Sequence, residues 1–205
     1  MPTPREITEP LPGGEVEYVD ARPTPYRLRV VEHDPSWAAR YGELEATVRE
    51  ALGERVLGIQ HVGSTSVPGL PAKPIIDIDL TVADPADEDS YVPPLQATGF
   101  LLWLREPDWH QHRLLKLLDE PQVHLHVYGE GCPEVVRTRM FRDWLIAHPD
   151  DRERYAAAKR QALAELEASG ADPEALDHGM RYNRIKEPVV HEIQERMFRA
   201  AGLLD

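Results

Sequence analysis

Cysteine is nearly absent from this sequence, and Cys132 is its single example among 205 residues. One thiol cannot close an internal disulfide, so the chain is not a secreted domain stapled by disulfides. This usage agrees with a reducing compartment. We interpret Cys132 as a loop residue of the segment GEGCPE rather than as a reactive thiol.

The sequence also lacks the long apolar run that a membrane span requires. No stretch approaches the roughly 20 apolar residues needed to cross a bilayer. The N-terminus, MPTPREITEPLPGGE, carries acids and prolines instead of a cationic start followed by an apolar stretch, so no secretory signal is expected. These features predict a soluble, cytoplasmic protein without a membrane partner.

Positive charge is scarce along the whole chain. Lysine and arginine number 23 against 36 acidic residues, which gives a formal net charge of -13. Binding to a polyphosphate backbone needs an excess of lysine and arginine, so this balance opposes a general affinity for nucleic acid. A small substrate is expected instead, although an acidic protein can still contain a locally basic cleft.

The length and the order of patterns predict an α+β fold with a small mixed β-sheet, flanked and capped by C-terminal helices. Prolines crowd residues 1–25, which we interpret as an extended arm with a short strand at Val16 to Val19. Residues 26–205 should form one domain, with a core at 26–130 and a helical cap at 133–205. A homodimer could form through that cap.

Hydrophobic periodicity places the individual elements. The sequence Asp34-Pro35 should begin a helix over 36–52, as an N-cap and a first-turn proline, and a second helix is expected over about 87–98. Strands are predicted from Tyr26 through YRLRVVEH and over 56–62, 74–82, 100–104, 113–118 and 122–128. Helices should follow Pro133, with breaks near Pro149 and residues 170–172 and a kink or break at Pro188. The buried stripe of the first helix comprises Trp37, Tyr41, Leu44, Val48 and Leu52.

The most informative pattern is a strand, then Gly63-Ser64, then Asp77-Ile78-Asp79 on the next strand. Glycine lets the backbone approach phosphate oxygens, and a serine hydroxyl with free amides can donate hydrogen bonds to them. Alternation along the strand puts Asp77 and Asp79 on one face. Two carboxylates so placed can hold a hard divalent cation. The pattern therefore predicts a phosphate and metal site.

The segment HVGSTSVPGLPAKPIIDIDLTV, residues 61–82, resembles the signature of the GrpB family, a nucleotidyltransferase-like group that is sometimes fused to dephospho-coenzyme A kinase. The resemblance runs from about Val30 to Arg199 and includes DPSWAARY, VHLHVY, FRDWL, Tyr155 with Lys159, and RYNRIK. It implies a catalytic core of the polymerase-β type. In such a core the Gly-Ser turn holds nucleotide phosphates and the strand carboxylates bind metal.

The wider superfamily usually adds a third carboxylate from a later strand, and here the corresponding strand VHLHVY offers His124 and His126. Asp77, Asp79, His124 and His126 are therefore the candidate catalytic and metal-binding residues. A mixed oxygen and nitrogen site suits Mn²⁺, Zn²⁺ or Fe²⁺ better than Mg²⁺. Alternatively, one histidine could act as a general base, or both could satisfy hydrogen bonds in the core.

Further candidates could hold the phosphates of a nucleotide. Arg113 begins a strand and could grip phosphate in a bidentate manner, while the histidines at 110 and 112 are assigned to a flexible loop. Tyr182 and Asn183 accompany Lys186 within the segment RYNRIK. The predicted nucleotide-binding residues are Gly63, Ser64, Thr65, Ser66, Lys73, Arg113, Lys159 and Lys186.

These residues predict a metal-dependent enzyme that transfers a nucleotidyl group from an NTP to a small-molecule acceptor, with Mg²⁺ or Mn²⁺ as cofactor. A variant of the chemistry would form an amide through an adenylate. Two other classes stay open: a binding module that has lost turnover, and an enzyme that uses the Asp and His cluster with a transition metal and without nucleotide. The acceptor is not encoded in any pattern of the sequence.

Overall fold

A computed structural model describes residues 1–19, 28–170 and 178–205 of the chain. Within these ranges the fold is α+β, as predicted. The strands are β1 Glu17–Tyr18, β2 Gly58–Val62, β3 Ile75–Val82, β4 Leu101–Glu106, β5 His112–Leu117 and β6 Gln122–Gly129. The α-helices are α1 Pro4–Thr8, α2 Ser36–Leu52, α3 Glu88–Ala97, α4 Pro133–Ala147, α5 Pro149–Ala168 and α6 His178–Ala200.

The six described strands form one mixed sheet in the order β1-β4-β5-β6-β3-β2. Strands β3 and β6 run parallel at its centre, and every other neighbouring pair is antiparallel. The β3–β6 crossover contains α3 and the β4–β5 hairpin. Because β3 has a neighbour on each side, the acidic pair on it lies on a central strand.

One face of the sheet packs into the main core, which includes α2 and α3. Ile76, Ile78 and Leu80 of β3 are fully buried on this face, together with apolar side chains of the two helices. Helix α2 spans the predicted residues, and its stripe is buried except at Tyr41, which is half-buried. Its N-cap is Pro35 rather than Asp34, whose carboxylate instead accepts a hydrogen bond from the Ser36 amide at 2.8 Å.

Helices α4, α5 and α6 form the predicted C-terminal cap. A break separates α4 from α5 at His148, ahead of Pro149, and α5 ends before Gly170, whose φ is 66°. The prediction of a kink or break at Pro188 is wrong in one respect, because α6 continues from 178 to 200 through it. Buried Tyr182 and Ile193 anchor the helix on both sides of the proline, and this packing maintains the helix where a backbone hydrogen bond is lost.

The N-terminal segment differs in part from the extended arm expected from its prolines. Pro4 occupies the first turn of α1, and Thr3 and Glu6 form a reciprocal capping box, so the proline favours this helix instead of preventing it. Strand β1 lies within the predicted range. The strand predicted from Tyr26 is absent from residues 28–33, where one isolated bridge joins Val31 to Ala72. Tyr26 itself lies outside the described residues.

Among the described residues, no helix is long and apolar enough to span a membrane.

Candidate functional site

The register of the central strands creates the site. Asp77 of β3 lies beside His124 of β6, and Asp79 lies beside His126. Side chains alternate along each strand, so these four project from the face opposite the main core. The predicted acidic pair and the predicted histidine pair therefore meet across one parallel strand junction.

Gly63 directly follows β2 and lies beside Asp77, because the β2–β3 pairing sets Val62 opposite that residue. Its backbone has φ 66° and ψ -170°, a combination essentially restricted to glycine. A Cβ at this position would collide with the Asp77 carboxylate oxygen Oδ2. The absence of a side chain at Gly63 thus leaves room for the carboxylate and opens the backbone turn toward it.

Three potential metal-ligating atoms converge at this point. Asp77, His124 and His126 each offer one such atom, and the three lie within 4.8 Å of one another. Asp77 Oδ1 is 3.5 Å from His124 Nδ1 and 3.8 Å from His126 Nε2. Each side chain retains 22–29% exposure, so a small ligand can reach the cluster from solvent. One carboxylate and two imidazoles suit Mn²⁺, Zn²⁺ or Fe²⁺.

Asp79 is separated from this cluster by its own hydrogen bonds. Its Oδ2 accepts from the Thr138 hydroxyl at 2.6 Å and from the Gln60 side chain at 3.3 Å. Burial raises the pKa of Asp79, and these partners only partly offset that effect. The four-residue ligand set predicted from the sequence therefore divides into three converging residues and one carboxylate that ties β3 to α4.

A hydrogen-bonded chain that the sequence did not suggest extends behind His126. His112 Nε2 lies 3.0 Å from His126 Nδ1, and His112 Nδ1 lies 2.7 Å from Glu106 Oε2. His112 was assigned to a flexible loop, but it begins β5 and is 3% exposed. The two histidines of WHQH are separated by one residue, and the local sequence does not indicate which of their rings enters the sheet. The long-range pairing of β5 with β6 decides which ring does so.

The hydrogen bonds from Glu106 through His112 to His126 fix which ring nitrogen of His126 is available to bind a metal. Burial lowers the pKa of His112 to about 4, so its ring is neutral, and the Glu106 carboxylate can only accept a proton. His112 must then donate through Nδ1 and accept through Nε2, which makes His126 Nδ1 a donor. Its Nε2 is left facing Asp77, as in a metal-ligating histidine oriented by a second hydrogen bond. Two acceptor atoms face each other there, and a cation between them would relieve their repulsion.

The interactions with Asp77 change the protonation of the cluster. Burial opposes charge on both Asp77 and His126, but the contacts of Asp77 with His124 and His126 outweigh it for the carboxylate, and the contact with Asp77 outweighs it for His126. The pKa of Asp77 is held below its usual range and that of His126 is raised. A proton or a metal cation can therefore occupy the space between the carboxylate and the ring, and the two would compete for it.

The cluster forms one wall of a cavity of about 310 Å³, which we call the lysine cavity. The sheet supplies the ligand cluster, and α5 and α6 supply the opposite wall. The chain contains four lysines, and three of them line this space. The lining residues are Gly63, Ser64, Lys73, Ile75, Asp77, His124, His126, Tyr155, Lys159, Tyr182, Asn183 and Lys186.

The three lysines carry poorly compensated charge. Burial, together with the charge of Lys186, lowers the pKa of Lys73 to about 8 and that of Lys159 well below its usual value. Within the described ranges, no carboxylate forms an ion pair with any of the three. Lys159 Nζ instead donates to the Pro71 carbonyl at 2.8 Å. Such a group of cations favours an anionic ligand.

Two predicted phosphate-binding hydroxyls serve the turn itself. Thr65 is buried, and its hydroxyl donates to the Ile75 carbonyl at 3.1 Å and contacts His61 Nε2 at 3.0 Å. Ser66 donates to the Gly63 carbonyl at 2.5 Å. Neither lines the lysine cavity, whereas Ser64 does. The turn thus presents one hydroxyl to the cavity and uses the other two to hold its shape.

The structure places Arg113 away from the site. Its guanidinium donates to Glu88 Oε1 at 2.6 Å, and Glu88 also pairs with Arg105. Pairing of β5 with β6 sets Leu114 opposite His126, so Arg113 points to the face covered by α3. The prediction that Arg113 begins a strand toward the pocket, and grips phosphate there, is not supported.

Comparison with known proteins places the chain in a family. The family model described as "GrpB protein" matches residues 27–196, which is most of the chain. The chain belongs to the GrpB family. A conserved GrpB protein from Enterococcus faecalis, whose crystal structure is known, superposes with a TM-score of 0.69 at 25% identity. The match covers 84% of this chain and 99% of that one.

Other relatives include chains of similar length and longer chains. UPF0157 protein BH1888 of Halalkalibacterium halodurans is 42% identical over 182 residues, covering 89% of this chain and 88% of its own. A protein of Mycolicibacterium paratuberculosis named dephospho-CoA kinase is 32% identical over 194 residues. That match covers 82% of this chain and 46% of the longer protein. The GrpB unit is therefore also found as part of a larger polypeptide.

Proposed function

We propose that this protein is a metal-dependent nucleotidyltransferase that acts on an NTP and a small-molecule acceptor. One observation carries the proposal: a single cavity joins a carboxylate and histidine cluster on the sheet to three lysines on its other walls. Nucleotide chemistry requires phosphate to be held from both sides by positive charge. The Gly63-Ser64 turn lies between these two parts of the cavity.

Asp77, His124 and His126 would hold the divalent cation. The chemistry of this donor set, together with the His126 orientation fixed by His112 and Glu106, fits such an ion. When bound, the ion would supply Lewis acidity toward a phosphoryl oxygen. A set with two nitrogens favours Mn²⁺ or another transition metal over Mg²⁺, which prefers oxygen ligands.

The lysines and the turn would bind the phosphates themselves. Lys73, Lys159 and Lys186 present three ammonium groups to a space of about 310 Å³, and each can donate to phosphate oxygens. Ser64 can add a hydroxyl from the turn, and Gly63 allows close backbone approach. Tyr155 and Tyr182 pack beside these ammonium groups, with Lys159 Nζ 4.4 Å from the Tyr155 ring centre, and restrict their positions.

In the proposed reaction, a nucleophilic group of the acceptor attacks the α phosphorus of the NTP. The new bond to the acceptor forms as the bond to pyrophosphate breaks, and the proton of the acceptor passes to solvent or to a neighbouring base. The lysines neutralise the negative charge that develops on the departing pyrophosphate. Positioning and charge compensation are thus the contributions of the protein.

A second candidate is a transition-metal enzyme that uses no nucleotide. The specific observation in its favour is that two histidines and one carboxylate converge while Asp79 is held elsewhere. That ligand set is also found in enzymes that bind ferrous iron with open coordination positions. In this case the lysines would hold an anionic substrate of a different class.

Calorimetry on metal-stripped protein separates the two candidates. ATP, GTP, CTP and UTP are titrated with Mg²⁺ and then with Mn²⁺, using wild type, Asp77→Asn and the neighbouring control Asp79→Asn. The transferase proposal expects metal-dependent NTP binding that Asp77→Asn abolishes and Asp79→Asn retains in weaker form. Tight metal binding without any NTP binding would instead support the second candidate. If the protein binds neither metal nor NTP, the proposed site is contradicted.

A further inference from the structure

A second cavity adjoins the first across the ligand cluster. It has a volume of about 590 Å³ and we call it the aromatic cavity. Gly63, Asp77 and His126 line both cavities. A molecule in the aromatic cavity would therefore meet the proposed metal site from the side opposite the lysines.

The two cavities have opposite charge. Asp79, Glu106 and Glu134 line the aromatic cavity in addition to Asp77, and no lysine or arginine occurs among its described lining residues. Anionic phosphate is thus favoured in the lysine cavity and disfavoured here. A positively charged ligand should instead prefer the aromatic cavity.

Hydrogen bonds hold the carboxylates of this cavity in place. The Thr138 hydroxyl and the Gln60 side-chain amide donate to Asp79, and Glu106 contacts the ring of His112. The hydroxyl and the amide satisfy oxygen lone pairs of Asp79 and bring no positive charge. Glu134 differs, because it forms an ion pair with Arg137.

Aromatic side chains give the cavity a shape suited to an ammonium group. The rings of Trp109 and Tyr128 have centroids 6.1 Å apart and planes inclined at 68°. Trp109 also meets the His112 ring at 5.2 Å and 84°. Near-perpendicular aromatic faces can receive a cation within about 6 Å of a ring centre. Leu104 and Leu114 add apolar surface beside this aromatic corner.

We propose that the aromatic cavity recognises an organic ammonium ion with an apolar body. Resting on the proposed function, this molecule is the acceptor. Its ammonium group lies against Trp109 and Tyr128 near the carboxylates, and the shared wall at Asp77 and His126 brings its reacting group to the nucleotide. The assignment explains why one site contains an anion-binding and a cation-binding compartment.

The test compares three ligands of similar shape and different charge on metal-free, full-length protein. Calorimetry measures the binding of phenethylammonium, neutral 2-phenylethanol and anionic 3-phenylpropanoate. We expect the cation to bind about tenfold more tightly than the alcohol, from its cation–π and carboxylate contacts, and the anion to bind more weakly than both. Equal affinities, or preference for the anion, would overturn the proposal.

Variants locate the binding. Trp109→Leu should reduce phenethylammonium affinity about tenfold, and Asp108→Asn on the same turn is the control that should leave this affinity unchanged. Folding of each variant is checked by its thermal transition. If Trp109→Leu folds and binds the cation like wild type, the aromatic cavity is not the site.

A second titration separates this inference from the proposed function. Mn²⁺ and ATP should bind Trp109→Leu as they bind wild type, because Trp109 does not line the lysine cavity. If ATP binds and phenethylammonium does not, the acceptor inference fails and the transferase proposal stands. If the cation binds and ATP does not, the ammonium site stands and the acceptor role fails. Displacement of the cation by ATP would show one shared compartment and contradict the assignment.

Discussion

Replacement of Lys73 by methionine should stabilise the ligand-free protein while it impairs phosphate binding. Lys73 is half-buried near Lys186, and its pKa falls from 10.5 to about 8 because burial and this neighbour both disfavour its charge. That difference corresponds to roughly 3 kcal/mol of unfavourable free energy in the folded protein. Since the side chain keeps partial exposure, we expect a gain of about 1–3 kcal/mol in the free energy of unfolding at pH 7.

The gain should depend on pH in a defined direction. Below pH 8 the lysine is charged in both the folded and the unfolded chain, so the full free-energy cost of holding its charge in the folded protein is present. Between about pH 8 and 10.5 the folded chain has lost the proton and the unfolded chain still binds it, so the stability of wild type rises with pH. The advantage of Lys73→Met should therefore shrink to less than about a third of its pH 7 value by pH 10.

Urea unfolding of metal-free protein, followed by tryptophan fluorescence at pH 7 and pH 10, measures both effects. A parallel series with Mn²⁺ and ATP measures ligand stabilisation, which reaches about 2.7 kcal/mol at a ligand concentration 100 times Kd. Lys73→Met should lose most of it, and Lys116→Met, which lines neither of the two cavities, should retain it. A Lys73→Met variant that is less stable than wild type at pH 7, with unchanged pH dependence, would refute the reasoning.

Three further substitutions test the site and its surroundings. Gly63→Ala should cost about 1–3 kcal/mol of stability in urea unfolding and weaken Mn²⁺ binding at least tenfold, because its Cβ would collide with Asp77; an unchanged Mn²⁺ affinity would contradict the close approach. Glu106→Gln should weaken Mn²⁺ binding about tenfold or more, since the orientation of His112 is no longer fixed by a carboxylate, whereas an unaltered calorimetric Kd would rule out that role. Arg113→Gln should lower the melting temperature by breaking a buried ion pair and leave ATP affinity within about twofold, and a large loss of ATP affinity would return this residue to the site.

Local patterns were sufficient for the elements that carry the site. The alternation in PIIDIDLTV predicts both β3 and the shared face of Asp77 and Asp79, because the period of two is a property of any strand. The three- and four-residue spacing of α2 predicts its buried stripe for the same kind of reason. Gly63 was identified from its residue type, and the structure supplies the reason: its backbone conformation and its contact with Asp77 both exclude a side chain.

Non-local pairing decided what the sequence missed. Whether His112 or Arg113 faces the cavity depends on the β5–β6 register, in which Leu114 lies opposite His126, and no local pattern encodes that alignment. Asp79 left the ligand set because Thr138 approaches from a helix 59 residues further along the chain. The lysines themselves were not missed, because Lys73, Lys159 and Lys186 were each predicted to bind phosphate, and all three line the lysine cavity.

The central claim is that Asp77, His124 and His126 hold a metal that also contacts nucleotide phosphate. Pulsed electron paramagnetic resonance of Mn²⁺ bound to wild-type protein with ATP tests this directly, because it detects nitrogen and phosphorus nuclei close to one ion. We expect imidazole ¹⁴N and nucleotide ³¹P couplings in the same complex, with the ¹⁴N coupling lost when both histidines are replaced. A ³¹P coupling without ¹⁴N, or ¹⁴N without ³¹P, would contradict it.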